Sequence, residues 1–402
     1  MKLRLDYFFG FLLSIVLLYS CNEKPTDIAY ELISDTVSIN IISHSDTNLI
    51  YGIERKVNSP CAFNTGNFFV GKAKGIDAIS VIRFGYLPDS VSYLKESDIE
   101  SVTLYLFPSR YAMGDTINPS FGFQIKKVEN YWSASATFDS LTIPGMISYQ
   151  VGSFEGKIDL LDTMKSIEIN LDKKIIADWL VRRTDTNAYV VNWGIALIPT
   201  NNTNVIHSFN GQGIGSVLMP GLKIIFNNKE NNKDTINLDA AINSSFIKYP
   251  DYKDDGKIVF QGGLDVRTNL LFDLSMIPPF SGISKMDMQL TIDKENTVLG
   301  NLKQVEVFRI DFVNDTAKGL LGNYFYYMEA SDTNLTKFYC PSLTSAAEMW
   351  NRRDGKGKLQ VRGSDVESLY RRLDRYVFYG INDPDTNKRP KVRVIYTTRK
   401  KR

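Results

Sequence analysis

The sequence predicts an all-β protein made of two tandem, jelly-roll-like β-sandwich domains, each with one short helix. Three observations lead there. Apolar side chains alternate over short runs bounded by Gly, Pro, Asn and Asp, the period-2 signature of half-buried strands. Helical periodicity is confined to two short stretches, Ala177–Arg183 (ADWLVRR) and Ala347–Arg353 (AEMWNRR). These two stretches and the strands around them recur in the same order in both halves of the chain, as a duplicated unit does.

The strands show the first point. Ser101–Leu106 places Val102, Leu104 and Leu106 on one face, Phe121, Phe123 and Ile125 repeat the spacing, and Ile167 with Ile169 and then Leu222, Ile224 and Phe226 follow. For the second point, Ile175, Ile176, Trp179 and Leu180 share one face of a short helix. Asp172 is the expected N-cap, and Arg182 and Arg183 suit the negative end of the dipole. Ala346, Ala347, Met349 and Trp350 repeat that face in the second copy. Each helix is expected to plug one end of a sandwich. For the third, Val81–Phe84, followed by Tyr86-Leu87-Pro88, has its counterpart in Leu270–Leu274. Val102, Leu104 and Leu106 match Met286, Met288 and Leu290, and Pro220–Phe226 matches Pro390–Tyr396.

The two ends of the chain bear on its location. Lys2 and Arg4 precede an apolar run from Tyr7 to Tyr19 that is too short to span a bilayer with ease and has the layout of a signal peptide. It closes on Leu18-Tyr19-Ser20-Cys21, which resembles a bacterial lipobox, with Tyr19 a departure from the usual small residue. Cys21 is then the lipidated N-terminus of the mature protein, at the bacterial outer membrane and on its surface. The division that follows is a signal peptide over 1–20, a tether over 21–30 and a first sandwich over 31–227. A polar linker takes 228–239 and a more divergent second sandwich takes 240–398. The remaining cysteines, Cys61 and Cys340, fall in different halves and read as separate buried thiols, with a bridge left open.

The charge balance is near neutral, with 47 basic and 45 acidic side chains. Nucleic acid is a poor partner for such a chain, because phosphate neutralisation needs a basic excess. The basic end Thr397–Arg402 reads as a solvated tail. Asp-Ser/Thr-apolar tripeptides recur at Asp35, Asp89, Asp115, Asp139, Asp162, Asp234 and Asp315. They resemble the O-glycan acceptor of exported Bacteroidetes proteins, and they are equally good turn starters.

One resemblance extends over much of the chain. Val81-Ile82-Arg83-Phe84, Tyr131-Trp132-Ser133-Ala134-Ser135, the helix with Trp179, Trp193-Gly194-Ile195-Ala196-Leu197 and Pro220-x-Leu222-x-Ile224 resemble a DNRLRE-type domain. That family includes the family 96 carbohydrate-binding modules. It is matched well over 60–226 and more weakly over 240–397, where Trp193-Gly194 has no counterpart. The resemblance implies a jelly-roll-like sandwich of the kind appended to secreted polysaccharide-acting enzymes.

Reaction chemistry is not spelled out. The two histidines, His44 and His207, stand in no metal-ligand spacing, and no phosphate loop or nucleophile elbow occurs. His207 reads as a core or edge residue. Asp251–Gly256 has the acid density of a calcium loop without its spacing and reads as a turn. No cofactor, metal or catalytic residue is expected, although a carboxylate-pair hydrolase needs no histidine. The aromatic runs Tyr131-Trp132 and Tyr324–Tyr327 are the expected ligand surface, with Tyr131, Trp132, Tyr324 and Tyr326 as contacts. The expected function is non-catalytic binding of polysaccharide at the cell surface. The alternative is a structural or accessory subunit docked on an envelope protein complex.

Overall fold

The computed structural model describes residues 37–43, 49–57, 62–63, 66–133, 135–184, 192–212, 218–249, 256–263, 266–312, 325–364 and 371–399. The predicted signal peptide, the tether with Cys21, Cys61 and the Asp251 turn fall outside them. The all-β expectation holds. An N-terminal arm of β1 (Val37–Ile42) and β2 (Ile50–Val57) leads into β3 (Ala62–Phe63), β4 (Asn67–Ala73), β5 (Ile76–Phe84), β6 (Ile99–Leu106), β7 (Pro108–Gly114) and β8 (Gly122–Val128). Then come α1 (Phe138–Leu141), β9 (Ile147–Glu155), β10 (Ile167–Leu171), α2 (Lys174–Thr184), β11 (Ile195–Pro199), β12 (Val205–Asn210), β13 (Gly221–Asn227) and β14 (Lys233–Lys248). The second half runs through β15 (Ile258–Gln261), β16 (Val266–Asp273), β17 (Gly282–Thr291), β18 (Val307–Phe312), β19 (Phe325–Ala330) and β20 (Lys337–Cys340). It ends with α3 (Thr344–Asn351), β21 (Lys356–Gly363), β22 (Arg375–Phe378) and β23 (Lys391–Arg399). The first half therefore has two helices, not one.

All described strand pairs are antiparallel, and the two halves repeat one topology. In the first, β6 lies between β10 and β13, while β11 joins β5 to β8 and β9. In the second, β17 lies between β20 and β23, while β21 joins β16 to β18 and β19. Val102 faces Ile224 and Met286 faces Val394, so the sequence alignment of these strands is the spatial one. The alternating side chains meet inside. Val102, Leu104, Leu106, Phe123, Ile125, Leu222 and Ile224 are all buried in the first core, and Met286, Met288, Leu290, Phe308, Ile310, Leu359 and Val361 in the second. Each such side chain contributes about 1.5–3 kcal/mol by leaving water.

Both plug helices behave as expected. Ile175, Ile176, Trp179 and Leu180 are buried, as are Ala346, Ala347 and Trp350. Trp179 leans on Phe84 at 6.5 Å and Trp350 stacks on Phe272 at 5.3 Å, the same contact made twice. The ties differ. Asp172 Oδ1 accepts from Lys174 N, and Asp178 on α2 accepts from Lys127 Nζ at 2.8 Å and Tyr149 Oη at 2.7 Å. Burial works to raise the Asp178 carboxyl, but those two hydrogen bonds together with the charges of Lys127 and Lys174 outweigh it and hold it below its ordinary range. On α3, Thr344 Oγ1 accepts from Met286 N instead of capping its own helix.

Two expected boundaries are corrected. The run 228–239 is not a linker. Asn228 Oδ1 accepts from Glu230 N and Asn232 N, Asn231 sits at φ 61°, and Lys233–Asn237 continue as β14 against β13. An exposed hairpin tip and a linker share the same polar composition, and asparagine serves both because it bonds its own backbone and tolerates the left-handed region. Further on, β14 leaves β13 and pairs with β5, so it bridges the two sheets of the first sandwich. The second correction concerns 31–57. The arm does not belong to the first sandwich: β1 pairs with β23 and β2 with β16.

The halves are fused. Phe69, Tyr111, Met113 and Ile206 of the first pack with Val259, Val266, Leu373 and Val377 of the second in one apolar cluster. Within it Tyr111 Oη donates to Asp374 Oδ1 at 2.9 Å and accepts from Leu373 N, and Gly300 N donates to the same carboxylate. Burial pushes the Asp374 carboxyl above its ordinary range. Gly300 is needed there, since a Cβ would fall 2.4 Å from the Tyr111 ring.

His207 is a core residue. It lies on β12, edge-on to Phe121 at 4.7 Å, and neither ring nitrogen has a hydrogen-bond partner. Burial lowers it from its ordinary value to about 4, so it is neutral in the fold. As pH falls from about 6.5 towards 4, the unfolded chain takes the proton and the fold does not. Stability then falls by at most about 1.4 kcal/mol per pH unit, roughly 3 kcal/mol over the window. His207→Leu is expected to lose about 2.5 kcal/mol less between pH 7 and pH 4.5 in urea titrations. Equal losses in the two proteins would show that the imidazole is not held neutral.

Candidate functional site

The two predicted aromatic surfaces fare differently from expectation. Trp132 is buried. The segment after β8 folds back over the outer face of the sheet, where Trp132 packs edge-on against Phe246 at 6.0 Å and its Nε1 donates to Trp193 O at 2.9 Å. It joins Val81, Ala196 and Leu141 in an apolar layer that covers this face of the first sandwich. Tyr131 alone of the pair stays exposed, with its ring against Trp193. The indole was expected at a surface, but it is the centre of a lid.

On the second sandwich the strand phase is the reverse of the expected one. Tyr326 faces Ile310 across the ladder and shares its inward side, with its ring 5.7 Å from Phe312 and its Oη 2.5 Å from Ser345 Oγ. Tyr324 lies outside the described residues. The outward rings are Phe325 and Tyr327, which is 46% exposed, and they meet edge to face at 5.3 Å.

These rings open a built surface. Across β19, β18, β21, β16 and β2, successive partners put Phe325, Asp311, Gln360, Asn269 and Glu54 in one row. The adjacent row holds Tyr327, Arg309 and Arg362, then Arg267 opposite Lys56. At about 4.8 Å per strand the face is roughly 20 Å wide. The Arg309 guanidinium lies 3.9 Å over the Phe325 ring, a cation–π stack. Asp311 bridges two guanidiniums, Arg309 at 2.5 Å and Arg362 at 3.2 Å. Further along, Arg267 Nη1 donates to Gln360 Oε1, Gln360 Nε2 to Asn269 Oδ1, and Asn269 Nδ2 to Glu54 Oε2. Lys358 Nζ closes the chain on Glu54 at 2.8 Å. The hydrogen bond from Lys358, then that from Asn269, holds the Glu54 carboxyl below its ordinary range, so it is ionised at neutral pH.

The network ties Arg309, Asp311 and Arg362 together, and Arg267, Gln360, Asn269, Glu54 and Lys358 together, so these side chains are preorganised. Its chemistry suits recognition, with exposed π-faces for an apolar ring face and planar guanidiniums for acidic oxygens, while the buried amides of Gln360 and Asn269 brace the charged side chains beside them. Among the described residues, no group of three His, Cys, Asp or Glu stands close enough to hold a metal ion. No helix among them is long and apolar enough to cross a membrane. Cys340 is a free buried thiol, pushed by burial up to about 12. No sequence family and no curated protein matches the chain.

Sequence reasoning missed Arg309, Asp311, Gln360 and Arg362. A signal was present, since Val-Phe-Arg-Ile-Asp-Phe alternates charged with apolar positions. The contribution of Glu54 and Lys56 had none, because β2 reaches this sheet from the far end of the sequence.

Proposed function

We propose that this chain is a non-catalytic cell-envelope lipoprotein that binds polysaccharide on the outer face of the second sandwich. The observation that carries the reading is the preorganised row of Phe325 and Tyr327 beside Arg309 and Arg362. Five cations (Lys56, Arg267, Arg309, Lys358, Arg362) stand there against three carboxylates, Glu54, Asp311 and Glu329, and this excess favours glycans bearing carboxylates or sulfates. The DNRLRE-type resemblance and lipidation at Cys21 at the outer membrane belong to the same proposal. Tyr327→Ala in the full chain is expected to weaken retention in gels of acidic polysaccharide roughly tenfold, a loss of about 1.4 kcal/mol. Retention unchanged by Tyr327→Ala and by Arg309→Ala would rule this face out.

One observation favours docking on an envelope protein instead. β1 ends the sheet of the second sandwich and exposes Ile39 and Ile41 at 72% and 60%, the apolar edge that natural sheets usually protect.

A further inference from the structure

The second sandwich lacks, within its own stretch of sequence, the strand that bridges its two sheets. In the first sandwich β14 does this, pairing Ile236 with Ile224 of β13 and Asn243 with Ile82 of β5. The matching places in the second are filled from the arm, by Ile42 beside Val394 of β23 and Ile53 beside Leu270 of β16. β14 follows its sandwich through a tight hairpin. The arm reaches its sandwich across the whole first half of the chain, and Asn58-Ser59-Pro60-Cys61 then lead into the other sandwich.

We propose that the arm, residues 37–57, is an exchangeable strand pair that docks on the second sandwich of another copy of this chain and so forms arm-exchanged dimers. Three features support this. The arm is held by backbone ladders on β23 and β16 and by Ile42, Leu49 and Ile50 in the second core, with Ile53 half-buried, and it gives no residue to the first core. An exchanged arm makes these same contacts, so the dimer differs from the monomer mainly in the path of the connection and in association entropy. Pairing is also neutral in charge along β1, which has no ionisable side chain.

The Ser38–Thr398 pair gives a direct test. These residues face each other across β1 and β23, with their hydroxyl oxygens 2.9 Å apart, close enough for a cystine. Full-length chains with Cys21→Ser and Cys61→Ser would carry either Ser38→Cys or Thr398→Cys. Both chains also carry Cys340→Ala, because that free thiol loses its burial if urea opens the second core. The two are mixed, taken briefly through mild urea, diluted and oxidised. The expected product is a disulfide-linked species of twice the chain mass that reduction returns to single mass. The proposal is overturned if the mixture stays at single mass while Ser38→Cys/Thr398→Cys in one chain closes internally. It is equally overturned if the doubly substituted chain forms no cystine, because the arm is then not seated on β23.

Discussion

Trp350→Ala is expected to destabilise the protein by about 3–5 kcal/mol, the range for truncating a fully buried indole. The ring has no exposed surface, stacks on Phe272 with planes 28° apart, and meets Phe312 edge-on at 6.4 Å. The site is built around it. Gly357 on β21 lies directly beneath, and a Cβ there would fall 1.9 Å from the ring. With backbone on one side and Phe272 on the other, the hole left by truncation has little room to collapse, which puts the cost at the upper end of that range. Gly357→Ala tests the same packing from the opposite direction, since the added methyl must displace either the strand or the helix. Urea denaturation of both variants measures this. A loss under about 1 kcal/mol for Trp350→Ala would mean that α3 is an ornament on the sandwich and not its plug.

Deletion of residues 1–57 has the other large expected effect. It removes Ile42, Leu49 and Ile50 from the second core and strips two ladders from β23 and β16. At about 1.5–3 kcal/mol per side chain the three account for roughly 5–9 kcal/mol, comparable to the whole stability of a typical domain. The first core contains no residue from the arm. Amide exchange should therefore lose protection in β16, β17 and β23 while β6 and β13 keep theirs. Unchanged protection in β16 and β23 would show that the arm decorates the sandwich without completing it.

The repeated helix and the alternating strands were legible because each is a local pattern of burial. Trp179 and Trp350 were read as plugs from the spacing of their neighbours, and both are buried. The phase of β19 was not legible. Phe325, Tyr326 and Tyr327 are all aromatic, so hydrophobicity alone cannot tell the inner side from the outer, and register with β18 decides it. Trp132 was misread for a related reason. A tryptophan beside turn residues fits an exposed loop or a lid, and the difference lies in whether Phe246, more than 100 residues away, is there to receive it. The hairpin at Asn228–Asn232 looked like a linker because solvent exposure selects the same residues in both. The binding face combines these difficulties. Its two rows draw on five strands, and β2 joins them through pairing at a sequence separation that no local pattern records.

The pairing of Val37 with Arg399 places the first and last described strands side by side at one edge of the second sandwich's sheet. From residue 37 to residue 399 the described path is therefore close to a closed circuit. Joined across that edge and cut instead between residues 57 and 62, the same sequence would thread both sandwiches one after the other, each from an uninterrupted stretch. The duplicated architecture then lies in the circular permutant, and the chain as it stands is that tandem repeat opened one strand pair out of step.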